Sequence, residues 1–214
     1  MKYIAIGIHL NREDIEPLAD AVPAAGLFVS AMSVDNDQPA GDRELLVRVG
    51  AVRSKLLDRA IFIAVRYGWT FRSGAEAEAK CVEHAARWRA LLEDNRGRVE
   101  LTLKAPAVTP QQKPDRHAFS SGADYLRALH AAQSAVDVNA RFRRSVEERV
   151  KPLCAASRWL KRDLTSLEFA ATIERRRLDE LHSAGEQLKR DHPEVPFLLS
   201  APWPLEVFAD ADHE

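Results

Sequence analysis

The period of the hydrophobic positions changes several times along this 214-residue chain, and each change marks an element. Residues 2–9 form an Ile-rich apolar run and predict a buried strand. Residues 11–21 predict one short helix closed by Pro23, and 26–34 predict a second strand. Asp35 to Gly41 holds Asn, Asp, Pro and Gly, the composition of a loop. With Asp42 as N-cap, Leu45, Val49, Val52 and Leu56 recur at helical spacing. Ile61 to Val65 predicts a third strand, β-branched and buried on both faces. Ser73 and Glu76 have capping-box spacing, in which each side chain satisfies a free backbone N–H. The helix they open carries Ala77, Cys81, Ala85, Trp88 and Leu92 on one face, and Asn95 or Gly97 takes its left-handed cap. Val99 to Leu103 alternates and predicts a fourth strand. This half runs ββαβαβ, with an extra short helix, and predicts a variant of the ferredoxin-like α+β sandwich.

Pro106, Pro110 and Pro114 then mark an extended linker. Ser121 and Asp124 repeat the capping spacing and open a long helix. Its seam is Ala128, Ala131, Ala135, Val138, Phe142, Val146, Val150 and Leu153, whose alternating threes and fours resemble a coiled coil. Pro152 predicts its end near Val150. Residues 167–174 alternate as a strand with one wet face, with 157–161 as its hairpin partner. A helix over Arg175 to Asp191 ends at His192-Pro193, and Phe197 to Leu199 predicts the next strand. The expected plan is an α+β chain: a ferredoxin-like domain over 1–105, a Pro-rich linker over 106–120, and a C-terminal α+β domain with a long coiled-coil-like helix over 121–214.

Composition narrows the function classes. Hydrophobic residues make up 46% and charged residues 29%, which excludes a mainly disordered chain. Apolar runs such as Ile61 to Val65 fall far short of the roughly 18 residues of a membrane helix. A net charge of −1 argues against a general polyanion binder, so neither nucleic acid nor membrane is an expected partner. The N-terminal run reads as a strand rather than a signal peptide, and two cysteines 73 positions apart read as reduced structural thiols. A cytoplasmic protein is expected.

The motifs of common chemistry are missing. There is no phosphate-binding Gly loop, no Gly-x-Ser-x-Gly elbow, no His-x-x-x-His pair and no Cys-x-x-Cys. His84 and His130 read as helix-surface histidines. No catalytic residue, metal site or cofactor is expected. Two segments stand out instead. Arg66-Tyr67-Gly68-Trp69-Thr70-Phe71 places an Arg and three aromatics around one glycine at a strand end. Its two readings are a turn whose aromatics close the core, and a partner-binding hot spot. Residues 141–162 carry eight basic residues (Arg141, Arg143, Arg144, Arg149, Lys151, Arg158, Lys161, Arg162) against Glu147 and Glu148. That pattern is a solvated face or a surface for an acidic partner rather than a nucleic-acid site, because no stacking aromatics are interleaved.

Three sets of motifs in order carry a resemblance. The first is Ile63 to Phe71 before a capped helix. The second is Leu91-Leu92, then Gly97-Arg98-Val99-Glu100-Leu101-Thr102-Leu103-Lys104, then Ser121-Gly122-Ala123-Asp124-Tyr125-Leu126. The third is Asp191-His192-Pro193 followed by Ala201-Pro202-Trp203-Pro204-Leu205-Glu206-Val207-Phe208. From about Val52 to Phe208 the chain resembles the gas vesicle protein F/L family (GvpL/GvpF). The resemblance implies a non-enzymatic protein that assembles gas vesicles or is a minor vesicle component. It also implies an N-terminal ferredoxin-like domain joined to a C-terminal domain with long helices. The implied partners are the small hydrophobic major shell protein and other vesicle accessory proteins. Arg66, Tyr67, Trp69, Phe71, Pro202, Trp203 and Pro204 are the expected partner-binding residues, with core packing as the other reading of Trp203. The competing class is a ferredoxin-like small-molecule sensor or binding module.

Overall fold

The Ile-rich opening run forms β1 (Lys2–His9), the central strand of a sheet. The computed structural model describes residues 2–35, 42–107, 115–160 and 165–209, with the backbone alone over 131–137. It divides the chain into two compact units, residues 1–100 with 202–214, and residues 101–201. The expected linker falls partly outside the description, since Pro110 and Pro114 are not among the described residues.

In the first unit β2 (Asp20–Ala24) and β3 (Leu27–Val34) form a hairpin, and β3 pairs antiparallel with β1. Ala25 and Gly26 both have positive φ, +52° and +73°, as a two-residue hairpin turn matching the strand twist requires. On the other side of β1 lie two short strands, β4 (Ile63–Ala64) and β5 (Thr70–Phe71). Helix α1 (Arg43–Arg59) begins where expected: the Asp42 carboxylate accepts the Glu44 N–H, and Leu45, Val49 and Leu56 are buried with Leu57. Phe62, Ile4, Ile6 and Ile8 are fully buried, each worth about 1.5–3 kcal/mol as apolar side chains removed from water. Phe62 lies flat on His9, with ring centroids 4.9 Å apart. Gly7 makes room for it, since a Cβ there would stand 2.3 Å from the Phe62 ring.

Three expectations for this half are corrected. Residues 11–21 are not one helix: a single turn at Arg12–Asp14 is followed by turns and then β2. Pro17 sits inside the expected helix, where it removes an N–H and clashes with the preceding turn. The helix after Ser73 is two helices, α2 (Gly74–Cys81) and α3 (Ala85–Asp94). Between them the His84 N–H bonds the Cys81 carbonyl, three residues back, a local tightening that leaves the apolar spacing intact. The third concerns the fourth predicted strand, β6 (Arg98–Pro106), which belongs to the second sheet rather than closing the first.

That second sheet runs β7-β8-β6-β9, with β7 (Cys154–Leu160) and β8 (Ser166–Glu174) as the predicted antiparallel pair and β9 as Leu198–Trp203. Helix α4 (Gly122–Arg149) is 28 residues long, opened by the Ser121 hydroxyl accepting the Asp124 N–H. Phe142, Val146 and Val150 of its seam are fully buried. Helix α5 (Leu178–Asp191) packs through Leu181 and Leu188, and Gly185 lets Leu199 come close. Phe142 meets the rings of His192 and Phe197, both at 5.5 Å. The chain is thus α+β in both units.

Candidate functional site

The aromatic segment after β4 is a loop thrown out of an edge strand. Residues 63 and 64 pair with Ile8 and Gly7, while 70 and 71 pair with Ile4 and Tyr3. Six steps along this edge therefore face three along β1, and the surplus bulges outward. The bulge closes as a β-turn from Arg66 to Trp69, with the Trp69 N–H on the Arg66 carbonyl at 3.2 Å. Gly68 occupies the third position with φ +91°, a conformation glycine takes without strain. The chain then rejoins β1 through the Ala5 N–H, which donates to the Trp69 carbonyl at 2.9 Å.

The side chains divide by depth. Arg66 is exposed, Tyr67 and Trp69 are half-buried, and Phe71 is buried and stacked on Tyr3 at 5.3 Å. The Lys80 ammonium sits 5.9 Å from the Trp69 ring centroid. The Tyr67 hydroxyl oxygen is shielded from water and has no hydrogen-bond partner among the described residues. Desolvation, with Asp42 nearby, raises its pKa above the usual phenol value.

The C-terminal motif lies on the free side of β4. Leu205 pairs with Ile63 in parallel: its N–H donates to the Phe62 carbonyl at 2.9 Å, and its carbonyl accepts the Ala64 N–H at 2.8 Å. The structure therefore brings both expected segments to one short strand, the turn following β4 and the Pro202–Leu205 stretch pairing with it. Pro202 is exposed, Pro204 is buried, and Trp203 is 45% exposed. The Trp203 indole N–H donates to the Glu206 carboxylate at 2.9 Å.

Two residues that the sequence reading passed over hold this edge. Arg53 of α1 reaches the backbone carbonyls of Ile6 and Val65, with Glu206 as the nearby negative charge. Glu100 accepts the N–H groups of Glu206, Val207 and Phe208 at 3.1, 3.1 and 3.2 Å. It is fully buried, although the alternation of residues 99–103 puts it on the wet face with Thr102. Burial pushes its carboxyl up to about 7, against the pull of the three N–H bonds. The sequence signals were an acidic residue inside a strand with apolar neighbours and its place in the second motif set.

The basic segment is partly engaged internally. The Arg143 guanidinium lies 4.7 Å over the Trp159 ring, whose indole N–H bonds Glu147, and Arg149 pairs with Asp191 at 2.5 Å. Lys161 and Arg162 lie outside the described residues. Among the described residues no cluster of three His, Cys, Asp or Glu side chains is placed to hold a metal ion. None of the described helices is long and apolar enough to cross a membrane.

No curated protein sequence matches the chain. Two crystal structures share its fold over nearly the whole length. Gas vesicle protein GvpF from Anabaena sp. PCC7120 superposes with a TM-score of 0.71 at 13% identity, covering 99% of each chain. GvpF from Microcystis aeruginosa gives 0.69 at 10% identity, covering 98% of this chain and 99% of that one. The family model described as gas vesicle synthesis protein GvpL/GvpF matches residues 17–209, a span that includes the bulged turn, Glu100 and the Pro-Trp-Pro segment. With that match spanning most of its length, the chain belongs to the GvpL/GvpF family of gas vesicle synthesis proteins.

Proposed function

We propose that this protein works in gas vesicle assembly, or as a minor vesicle component, by contacting the hydrophobic major shell protein without catalysing a reaction. The contact surface is the β4 edge of the first sheet, where Arg66, Tyr67, Trp69, Pro202 and Trp203 are presented, with Phe71 and Pro204 supporting them from beneath. What supports this is the convergence of two separated aromatic motifs on one two-residue strand. Half-exposed tryptophans beside an arginine are the residue types that carry most interface energy. The protein works in the cytoplasm, at the vesicle, and other vesicle accessory proteins are further partners. At the level of fold, the first unit is a ferredoxin-like variant whose fourth strand is lent to the second sheet. The seam of α4 is coiled-coil-like in its spacing, with Phe142, Val146 and Val150 already buried.

The test is capture of the purified shell subunit by wild type and by a folded Trp69→Ala, Trp203→Ala variant. The variant should lose at least about tenfold in affinity, as expected when two hot-spot aromatics are truncated. Normal capture would sink the proposal. Thermal stabilisation by a small metabolite, without shell binding, would favour the sensor class instead.

A further inference from the structure

A buried carboxylate needs partners, and Glu100 has no cation paired with it among the described residues. Its partners are three successive backbone N–H groups, Val207 on Oε1 and Glu206 and Phe208 on Oε2. Residues 206–208 lie in a bend and turn outside any helix or strand. Leu205 and Val207 anchor the segment in the core, but apolar contacts are not directional. Successive N–H groups converging on an anion are directional and strong. From there the linkage continues outward: the Glu206 backbone is held by Glu100, and the Glu206 side chain receives the Trp203 indole N–H.

We propose that Glu100 is the positioning residue of the docking surface: its carboxylate fixes the 206–208 backbone, and through Glu206 it sets the pose of Trp203. The docking role of Trp203 rests on the proposed shell contact, whereas the fixing of 206–208 does not. Other charged groups bear on this site. Glu206 lies on the segment itself, and Arg53 of α1 faces Glu206. None of these neutralises Glu100, so the nest of amides holds it alone among the described groups.

The test is residue-resolved amide exchange and NMR on the full chain carrying Glu100→Gln. Glutamine keeps the shape but turns one acceptor into an NH₂ donor facing an N–H. The amides of Glu206, Val207 and Phe208 should exchange at least about tenfold faster, the cost of a buried donor left unmatched. The Trp203 indole N–H resonance should shift with them, while β1 and α1 keep their protection. Shell capture should weaken, as it should in Trp203→Ala. Unchanged exchange at 206–208 in folded Glu100→Gln overturns the role of Glu100. If that variant does not fold, the wild type decides. The 206–208 amide shifts and the Trp203 indole shift should follow the Glu100 carboxyl carbon through one titration midpoint, and independent midpoints overturn the proposal. The docking reading fails separately, by normal capture in Trp203→Ala with 206–208 still protected.

Discussion

His9 and Glu100 are both buried in the first unit, and they respond to pH in opposite directions. Ser30 donates to the Gly7 carbonyl, so its hydroxyl accepts from His9 Nε2–H, which leaves Nδ1 without a partner among the described residues. Burial keeps this neutral ring from taking a proton, with its pKa lowered from 6.5 to about 3. As pH falls from 6.5 towards 3, the unfolded chain binds a proton that the folded ring refuses, and stability is lost. Glu100 runs the other way: its folded value is about 7 against an ordinary 4.5, so its contribution is full below 4.5 and lost as pH rises to 7. The two slopes cancel between 4.5 and 6.5. Glu100→Gln should therefore gain stability relative to wild type as pH rises from 4.5 to 7, by about 1.4 kcal/mol per unit, in urea titrations across pH. A difference curve with no slope would contradict the assignment. At Gly7 the expectation is steric. Gly7→Ala puts a methyl 2.3 Å from a fully buried ring, and should cost about 1–3 kcal/mol or more in the same assay.

At the scale of elements, local rules read well wherever one side chain decides the outcome. Asp42, Ser73 and Ser121 each cap the helix they were expected to cap. In the Ser73 box, however, the Glu76 carboxylate reaches back to the Arg72 N–H. Ser121→Ala should cost about 1 kcal/mol and lower α4 helicity by circular dichroism. The hairpin turn offers the opposite sign. Ala25 is the one described non-glycine residue with positive φ, so Ala25→Gly should raise stability by up to about 1 kcal/mol. No change in the midpoint of unfolding would mean the turn relaxes differently in solution. Period alone failed where long-range partners decide. It could not say that β6 pairs in the second sheet, nor that Glu100 turns inward to meet amides more than a hundred residues away. The candidate edge was half legible: both motifs were visible as residues, but their convergence on β4 depends on a parallel bridge that no local pattern encodes.

For the whole molecule, charge and sulfur set how it behaves in solution. The net charge of −1 is a sum in which the basic stretch at 141–162 is offset elsewhere, partly by direct pairs such as Arg149 with Asp191. Both cysteines are free, Cys81 within the core and Cys154 donating its S–H to the Val150 carbonyl. Burial raises both thiols to about 11, so few thiolates exist near neutral pH. The native protein should react slowly with a thiol reagent at pH 7, and both thiols should appear only on denaturation. Its unfolding curve should be indifferent to added reductant. Rapid modification of one cysteine in the native state would show an opening the described structure lacks.

The pairing of Leu205 with Ile63 bears on what the first sheet offers to a foreign strand. Bare sheet margins are templates on which foreign strands polymerise. Here the β2 margin carries Pro23, which has no N–H to offer a newcomer, and the β4 margin is already occupied by Leu205 and then broken by the outward turn. Pro23 and Leu205 thus each block a point on a rim of the first sheet. Under the proposed shell contact, an aggregation-prone subunit would meet side chains at these places rather than a backbone on which to grow.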